Sequence, residues 1–331
     1  MADDLFYPPL TAADDAFHEA SDHWWETETA WFSFSVPDRK ISGWFYNQVL
    51  ATQRVCNGGA WVWDDSPAGA IYEQQVSNVP LVDFEQLDLR DVELPTGCHI
   101  TMLEPLQRYR VRYADAPGFE ADLVFDGVMA PNSHPLGVAP FWRGRHFDQP
   151  MHVTGTITLQ GEQIGVDCLA GRDRSWGPRP MGPDPRKPPA ERKPRSTTRA
   201  PEGVGYPFAA ASPDDAWLLY TRPTVVDGVP SDELATGYLL RGGEYAHLVS
   251  GRRRTWLDPQ MKWIKRVEVE AVDDLGRELS ASGELVARHG AEATASGTGL
   301  FRWEWDGLVG WGEDQTYAPA GVLEAVAEPR R

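Results

Sequence analysis

Alternation of apolar and polar residues is the feature that most limits how this chain can fold. From Phe119 to Phe125 every second residue is apolar, and Glu120 and Asp122 lie between them. Successive side chains of an extended strand point to opposite faces, so this pattern predicts a strand with one buried face. A helix would instead repeat its apolar residues about every 3.6 positions. The segment is therefore predicted to be a β-strand.

The same alternation recurs along the chain. Further alternating segments, with the turns between them, are predicted at 109–113, 151–159, 160–161, 164–168, 242–243 and 267–271. Helical signals are few: Thr11-Ala-Ala-Asp14 fits a capping box that residues 16–20 would continue, and 322–328 is a second short candidate. The sequence therefore predicts an all-β protein with little helix.

The length of the chain predicts two packed domains. At about 150 residues per domain, 331 residues correspond to roughly two. We place an N-terminal β domain at 1–170 and a C-terminal β domain at 171–331, each a β-barrel or sandwich. Residues 178–205 are rich in Pro, Arg and Lys, which cannot fill a sheet interior. They are predicted to form an exposed loop or, alternatively, a lid.

The acidic composition argues against several kinds of partner. The formal net charge is −18 and the pI is about 4.8, whereas nucleic acids and anionic membranes bind basic patches. No apolar run approaches the about 18 residues of a membrane-spanning helix. The three cysteines form no CxxC pair, and the acidic first residues do not resemble a secretion signal. We expect a cytoplasmic protein with no nucleic-acid partner and no integral membrane segment.

The sequence carries no motif of a common cofactor site. It has no Walker loop, no GxGxxG opening a strand–helix unit, no HExxH and no GxSxG. One candidate metal cluster contains His146, Asp148 and His152, which could share a face of an extended strand. Pro150 interrupts that register, and no fourth ligand is evident. We therefore predict no metal and no cofactor, and expect these side chains to be hydrogen-bonded at a strand entry.

A charged segment follows the second strand of the predicted hairpin. Asp173 stands between Arg172 and Arg174, and Trp176 follows. Neighbouring cations lower the pKa of a carboxyl group, so Asp173 is predicted to be ionised. An ionised Asp173 suits a structural salt bridge or an electrostatic role better than the role of a proton donor.

Several motifs resemble one protein superfamily. The string from His146 to Ile157, followed by Gly171-Arg-Asp-Arg-Ser-Trp-Gly-Pro-Arg179, resembles the AttH-like and carotenoid 1,2-hydratase (hydroxyneurosporene synthase) superfamily, in a mostly uncharacterised bacterial branch. Three upstream motifs and one downstream motif are similar as well, so that the resemblance covers nearly the whole chain: Glu28–Phe34, Ser42–Trp44, Gly58–Asp64 and Gly310–Gln315.

This resemblance implies a fold and a chemistry. Characterised members are two-domain, lipocalin-like (calycin) β proteins with a hydrophobic pocket. Their reactions include cofactor-free hydration of isoprenoid C=C bonds, and more distant relatives catalyse cyclisations. Hydration needs an acid to protonate the alkene, aromatic faces to stabilise the carbocation, and a positioned water. The resemblance therefore implies a lyase-type enzyme with an aromatic-lined site.

Two residues depart from the pattern of the hydratases. Where the superfamily has His-x-Trp, this chain has Arg174-Ser-Trp176, and where it has Tyr-x-Asp, this chain has Tyr220-Thr-Arg222. Arginine cannot donate a proton at neutral pH. Another carboxylic acid must serve, and the candidates are Asp148, Asp126, Glu304 and Asp306.

The predicted function is a cofactor-independent hydratase, dehydratase or cyclase acting on a terpenoid, steroid or polyketide-like substrate. Asp148 or another carboxyl group moves the proton, His146 and Tyr220 orient or relay it, and Arg174 and Arg222 hold an oxygen unless they only pair with acids. The predicted pocket wall consists of Trp176, Trp61, Trp63, Trp142, Trp303 and Trp305. The alternative is a non-catalytic carrier of a hydrophobic molecule. A homodimer is left open.

Overall fold

The computed structural model describes residues 6–67, 69–81, 87–115, 118–136, 144–179, 182–191, 204–226, 229–261, 263–290 and 297–317. Within these residues the chain forms one curled sheet followed by one closed barrel. The prediction of an all-β protein with two packed units and little helix is confirmed.

The curled sheet, called the first sheet below, has the strand order β4-β3-β2-β1-β11-β10-β8-β7-β6-β5, with β9 paired to β10. All pairs are antiparallel, including the hairpin β10–β11 predicted from the alternation. Its strands are β1 (Glu26–Val36), β2 (Ile41–Leu50), β3 (Val55–Trp63), β4 (Ala70–Pro80), β5 (Asp91–Glu93), β6 (Cys98–Glu104), β7 (Arg108–Asp115), β8 (Phe119–Gly127), β9 (Asn132–Ser133), β10 (Arg145–Leu159) and β11 (Glu162–Pro178).

The second unit is a barrel in which each strand pairs with the next and the last pairs with the first. Its strands are β12 (Val204–Ser212), β13 (Asp215–Val226), β14 (Val229–Arg241), β15 (Glu244–Leu257), β16 (Ile264–Asp273), β17 (Glu278–Arg288), β18 (Gly297–Trp305) and β19 (Leu308–Tyr317). The boundary predicted at residue 170 falls within β11, and the chain passes from sheet to barrel between Pro178 and Val204. Of the predicted exposed loop 178–205, residues 178–179, 182–191 and 204–205 lie among the described residues.

Among the described residues, helix is confined to short 3-10 turns, at Ala12–Asp15, Pro37–Arg39, Ala51–Gln53 and Pro189–Glu191. The Asp14 carboxylate accepts a hydrogen bond from the Thr11 N–H, as the capping box predicts. The predicted continuation through residues 16–20 is wrong, because the backbone is already extended at Ala16. The candidate at 322–328 lies outside the described residues. No helix in the described part of the chain is long and apolar enough to cross a membrane.

The barrel interior is filled by side chains. The Trp217 and Trp303 rings meet edge to face, with centroids 4.8 Å apart, and Trp305 packs against Trp217. Farther along the interior, the buried Arg253 guanidinium pairs with the carboxylates of Asp314 and Asp232. Trp303 and Trp305, predicted to line a ligand pocket, instead form the barrel core. Edge-to-face packing of large rings is a stable way to fill such a space.

The first sheet and the barrel meet through an aromatic interface. Trp31 of β1 packs edge to face on Tyr206 and Phe208 of β12, and Leu218 belongs to the same buried cluster. Gly171 allows this approach, because a Cβ there would lie 3.2–3.3 Å from the Trp31 and Phe208 rings. The interface is thus formed by one face of the first sheet and the outer face of the barrel.

Candidate functional site

The site is built where the ends of β10 and β11 carry polar side chains into the interface. His146 lies opposite Ser175, and Asp148 lies opposite Asp173. Since side chains alternate along a strand, these four residues share the face that meets the barrel. Their neighbours on each strand, such as Phe147 and Arg172, point into the opposite side of the first sheet.

Asp148 is the centre of a buried hydrogen-bonded cluster. Its Oδ2 pairs with Nε2 of His134, and its Oδ1 lies 3.0 Å from Nε2 of His146 and accepts from the Tyr206 hydroxyl. His146 Nδ1 is 3.0 Å from the Ser175 hydroxyl. The side chains of Asp148, His134 and His146 are at most 3 % exposed. We call these five residues the interface cluster.

The ionisable residues of the interface cluster differ in their protonation states. Burial alone would raise the pKa of the Asp148 carboxyl, but the two imidazoles hold it well below its usual range. Burial opposes the charged form of His146, yet Asp148 outweighs burial and raises the His146 pKa. Burial dominates at His134 and lowers its pKa. The cluster therefore favours an ionised Asp148, a protonated His146 and a neutral His134.

Asp173 behaves differently from the sequence-based expectation. Burial and the negative charge of Asp148 together raise its pKa to about 6, against the lowering influence of His146, Arg179 and Arg172. The prediction of a lowered pKa is wrong, because burial outweighs the arginines: Arg172 lowers the Asp173 pKa only weakly, since alternation turns Arg172 and Arg174 to the other face of β11. There Arg172 pairs with Asp15 and Arg174 with Glu28.

The barrel contributes phenols to the same place. The Tyr220 ring lies 5.4 Å from the His134 ring and 5.6 Å from the Tyr206 ring, measured between centroids. Tyr238 is also buried and packs with Tyr206 and Tyr220 in the aromatic interface between sheet and barrel. Burial raises the pKa of Tyr206 and of Tyr238 well above the usual value, so both phenols are neutral hydrogen-bond donors.

A cavity of about 10 Å³ lies beside Asp148. It is lined by Tyr206, Phe208, Leu169 and other interface residues, and its volume is enough for about one water molecule. The large aromatic pocket predicted from the sequence is not found among the described residues. The aromatic rings of the interface pack against one another instead.

Several predicted site residues lie elsewhere. Trp176 stacks on His18 on the far side of β11, with ring centroids 4.6 Å apart. Arg174 is on that same side, where it donates to Glu28. Arg222 is half-buried and follows a β-bulge after Tyr220, and its Nε has no acceptor among the described residues. These three residues therefore do not join the interface cluster.

The remaining predicted residues are also accounted for. Trp63 packs on Trp44, with centroids 5.5 Å apart, in a second part of the interface that includes Trp61. Trp142 lies outside the described residues. The alternative acids form ion pairs with surface arginines, as the pairs Asp126–Arg108, Glu304–Arg302 and Asp306–Arg241 show.

His134, His146 and Asp148 also offer a set of metal-ligand types, with one ligand atom of each within 4.8 Å of the others. Both imidazoles pair directly with the carboxylate, so we assign the set as a hydrogen-bonded cluster. His152, predicted with this group, instead pairs with Asp167 at the surface. His134 takes its place, and no spacing signal in the sequence connects it with β10.

A second buried carboxyl group lies at the interface. Glu313 of β19 accepts hydrogen bonds from the Trp44 indole at 2.8 Å and from Ser42 and Thr298 at 3.4 and 3.3 Å. Its fourth hydrogen-bond donor is the Gln315 amide, and no cation pairs with it among the described residues. Burial raises the pKa of Glu313 to about 8. Sequence reasoning missed this residue because an acid in a strand is ordinarily solvated.

Three solved structures share this fold. A protein of Nitrosomonas europaea assigned to AttH is 15 % identical with a TM-score of 0.58, over 88 % of this chain and 92 % of that chain. CghA is 11 % identical with a TM-score of 0.57, over 88 % of each chain. Kievitone hydratase of Nectria haematococca is 10 % identical with a TM-score of 0.51, again over 88 % of each. The resemblance predicted from the motifs is confirmed at the level of the fold.

No curated protein matches the chain. A family model described as a domain of unknown function, DUF7064, matches residues 11–186. This match spans the first sheet with β10 and β11, and it covers more than half of the 331 residues. The chain therefore belongs to the DUF7064 family.

Proposed function

We propose that this protein is a cofactor-independent lyase-type enzyme, a hydratase, dehydratase or cyclase, that acts on a hydrophobic terpenoid, steroid or polyketide-like molecule at the interface between sheet and barrel. The observation that carries the proposal is the opposed pair Asp148 and Asp173, whose pKa values move in opposite directions. Separated pKa values within one buried pair are typical of acid–base sites.

Asp173 is the proton donor in this scheme. With a pKa of about 6, roughly one-tenth of Asp173 is protonated at pH 7, and a general acid is most effective when its pKa lies near the working pH. Asp148 cannot take this role, because the imidazoles hold it ionised. The earlier assignment of the proton to Asp148 is thus transferred to its cross-strand neighbour, and Asp148 becomes a positioning residue.

His134 is the base. Its Nε2 pairs with Asp148, and its buried Nδ1 has no hydrogen-bond partner among the described residues. The lowered pKa of His134 favours the neutral ring, whose Nδ1 lone pair can accept a proton. The Asp148 carboxylate fixes this tautomer by accepting the Nε2 proton.

Hydration balances with these groups alone. The Asp173 carboxyl transfers its proton to one alkene carbon, and a water oxygen bonds to the other carbon. The water gives a proton to His134 Nδ1, and exchange with solvent restores both groups. Dehydration is the reverse, and a cyclase would use the same initial protonation. Trp31 and the Tyr206 ring provide aromatic faces for the intermediate cation.

The size of the cavity limits how a substrate binds. The cavity beside Asp148 has room for about one water, which is the second reactant in a hydration. A hydrocarbon substrate therefore has to displace side chains of the interface, such as Phe208 and Leu169. The carrier alternative gains no support, because the described barrel interior is filled by Trp217, Trp303 and Trp305.

The test is turnover of unsaturated terpenoids, steroids and polyketide-like enones in D2O, followed by mass spectrometry. An active protein adds deuterium to carbon. Asp173→Asn should lower the rate by about 10²-fold or more, since general acid catalysis commonly contributes that much. The wild-type rate should fall as the pH rises through about 6, where Asp173 loses its proton.

Asp167→Asn is the matched control. Asp167 lies on the same strand, but its side chain is 82 % exposed and pairs with His152. This variant should keep the wild-type rate. An Asp173→Asn protein that works as fast as wild type would contradict the assignment of the donor. A panel with neither turnover nor bound ligand would contradict the proposed function.

A further inference from the structure

The opposite side of the first sheet holds a buried arginine with unused donors. Arg172 is 2 % exposed, and its guanidinium lies over the Tyr109 ring, 3.8 Å from the centroid. Its Nη2 donates to Asp15 Oδ1 at 2.6 Å. Its Nε and Nη1 have no hydrogen-bond partner in the described part of the chain. A buried cation with unpaired donors is costly, which makes this position attractive to an anionic acceptor.

A small cavity adjoins these donors. It has a volume of about 10 Å³, and apolar side chains form much of its wall. Four of the lining residues carry ionisable side chains, Arg172, Arg174, Asp15 and Asp173, and the others are Ala30, Phe32, Leu89, Ile100, Met102 and Tyr109. An arginine head beside an apolar wall is the arrangement that suits a carboxylate carried on a hydrocarbon.

Asp15 already presents a carboxylate to this arginine. Its Oδ2 accepts from the Leu106 N–H at 2.7 Å and from the Tyr109 hydroxyl. Two residues farther on, Phe17 packs against the apolar core of the first sheet. The segment therefore places a carboxylate and an apolar group in the positions that an amphipathic acid would take.

The segment that carries Asp15 is held by side chains rather than by strand pairing. Residues 6–25 contain no strand, and their only regular element is the 3-10 turn Ala12–Asp15. Around Asp15, Asp14 pairs with Arg145, the Ala16 carbonyl accepts from Arg174, and His18 pairs with Glu28. A ligand that displaces this segment has to release these contacts together with the Asp15–Arg172 pair.

We propose that this end of the first sheet is a second ligand site, which binds the carboxylate of an amphipathic acid through Arg172, and that Asp15 occupies the carboxylate position in this structure. The ligand displaces residues 12–18, takes the hydrogen bonds of Tyr109 and the Leu106 N–H, and adds a bond to a free Arg172 donor. Its chain replaces Phe17. The site lies on the face of the first sheet opposite the interface cluster. Asp173, the proposed proton donor, also lines its cavity, so the tests of this site measure binding and hydrogen exchange and not turnover.

The first test is calorimetric titration with dodecanoate, with dodecanol as the uncharged probe. Asp15→Asn removes the internal competitor and leaves Arg172 without a counter-charge. This variant should bind dodecanoate at least about tenfold more tightly than wild type. The reason is that Arg172 no longer has to be released from the Asp15 carboxylate before it can bind the ligand. Dodecanol should bind neither to the wild type nor to Asp15→Asn. Asp15→Asn/Arg172→Met should lose the gain in affinity.

Asp38→Asn is the matched control, because Asp38 is exposed and lies outside both the cavity wall and residues 12–18. It should bind dodecanoate as wild type does. The proposal is overturned if Asp15→Asn gains no affinity for dodecanoate, or if dodecanol binds as well as the acid.

Hydrogen–deuterium exchange of the wild type provides a second test that needs no folded variant. Saturating dodecanoate should speed exchange at the amides of residues 12–18, because the ligand displaces them. Ligand binding usually slows exchange, so the direction is diagnostic. Unchanged or slowed exchange in this segment, with dodecanoate bound, contradicts the displacement.

Discussion

Asp148 and Asp173 show how neighbouring residues of one type acquire different properties. They lie opposite each other on β10 and β11. Two imidazoles and a phenol surround Asp148 and keep it ionised. Burial and the negative charge of Asp148 instead raise the pKa of Asp173 and oppose its ionisation. Since both charges share one low-dielectric face, ionisation of one carboxyl opposes ionisation of the other.

This contrast is measurable in the protein without a substrate. Carboxyl carbon NMR should give Asp173 a pKa of about 6, and Asp148→Asn should lower it by removing the neighbouring charge. A folded-state pKa above the unfolded one means that the native protein holds the proton longer. Stability from this group should therefore fall as the pH rises from about 4 to about 6. Asp173→Asn should lack this fall, and an Asp173 pKa near 4 would contradict the electrostatic assignment.

Part of this site could be predicted from the residues. His146 and Asp148 share a strand face two positions apart, and alternation alone places them together. His134 and Tyr206 come from other elements, and only the tertiary fold brings them to Asp148. The ionisation of Asp173 was mispredicted because sequence neighbours on a strand point to opposite faces. The adjacent arginines therefore stabilise the ionised carboxyl group only weakly.

At the scale of strands, alternation correctly predicted β7, β8, β10, β11 and β16, since each has one face in a core. It could not say what fills the barrel. Trp303 and Trp305 share a face, but a pair of indoles can equally line a pocket or pack on a third ring. Trp217, far away in the sequence, decides the matter by packing against both.

Trp303 is therefore expected to be a core residue whose loss destabilises the barrel. Trp303→Ala should lower the free energy of unfolding by about 3–5 kcal/mol, the usual cost of removing a buried large ring. Trp256→Ala is the control, because that indole is 38 % exposed and should cost less than about 1 kcal/mol. Urea unfolding measures both. A Trp303→Ala protein as stable as the control would restore the pocket interpretation.

At the scale of the whole molecule, sheet and barrel are joined by aromatic packing and by several polar contacts, including these three hydrogen bonds. Tyr206 donates to Asp148, Tyr245 donates to Asn132 at 2.7 Å, and Trp44 donates to Glu313 at 2.8 Å. Each contact links one residue of the first sheet to one of the barrel. The last depends on pH, because Glu313 has no cation beside it among its described partners.

Glu313 should make the stability of the protein fall in mildly alkaline solution. Its pKa is about 8 in the folded chain and about 4.3 in an unfolded one. The native state therefore keeps a proton that the unfolded state has lost, and stability declines as the pH rises across that range. Glu313→Gln should flatten the decline in melting temperature between pH 5 and 8. Glu304→Gln, at an exposed ion pair with Arg302, should not.

The continuous pairing of β10 with β11 has a consequence for how this protein can change. The turn at Gln160-Gly161 closes a hairpin whose register runs unbroken from Leu159–Glu162 to Arg145–Trp176. Inserting a single residue in β11 between Glu162 and Asp173 would turn Arg172 and Arg174 toward the barrel and hide Asp173 in the opposite core. The face on which Asp173 lies is thus specified by the parity of a chain length, and insertions or deletions of even size along this strand keep Asp173 on the barrel side while shifting its cross-strand partner.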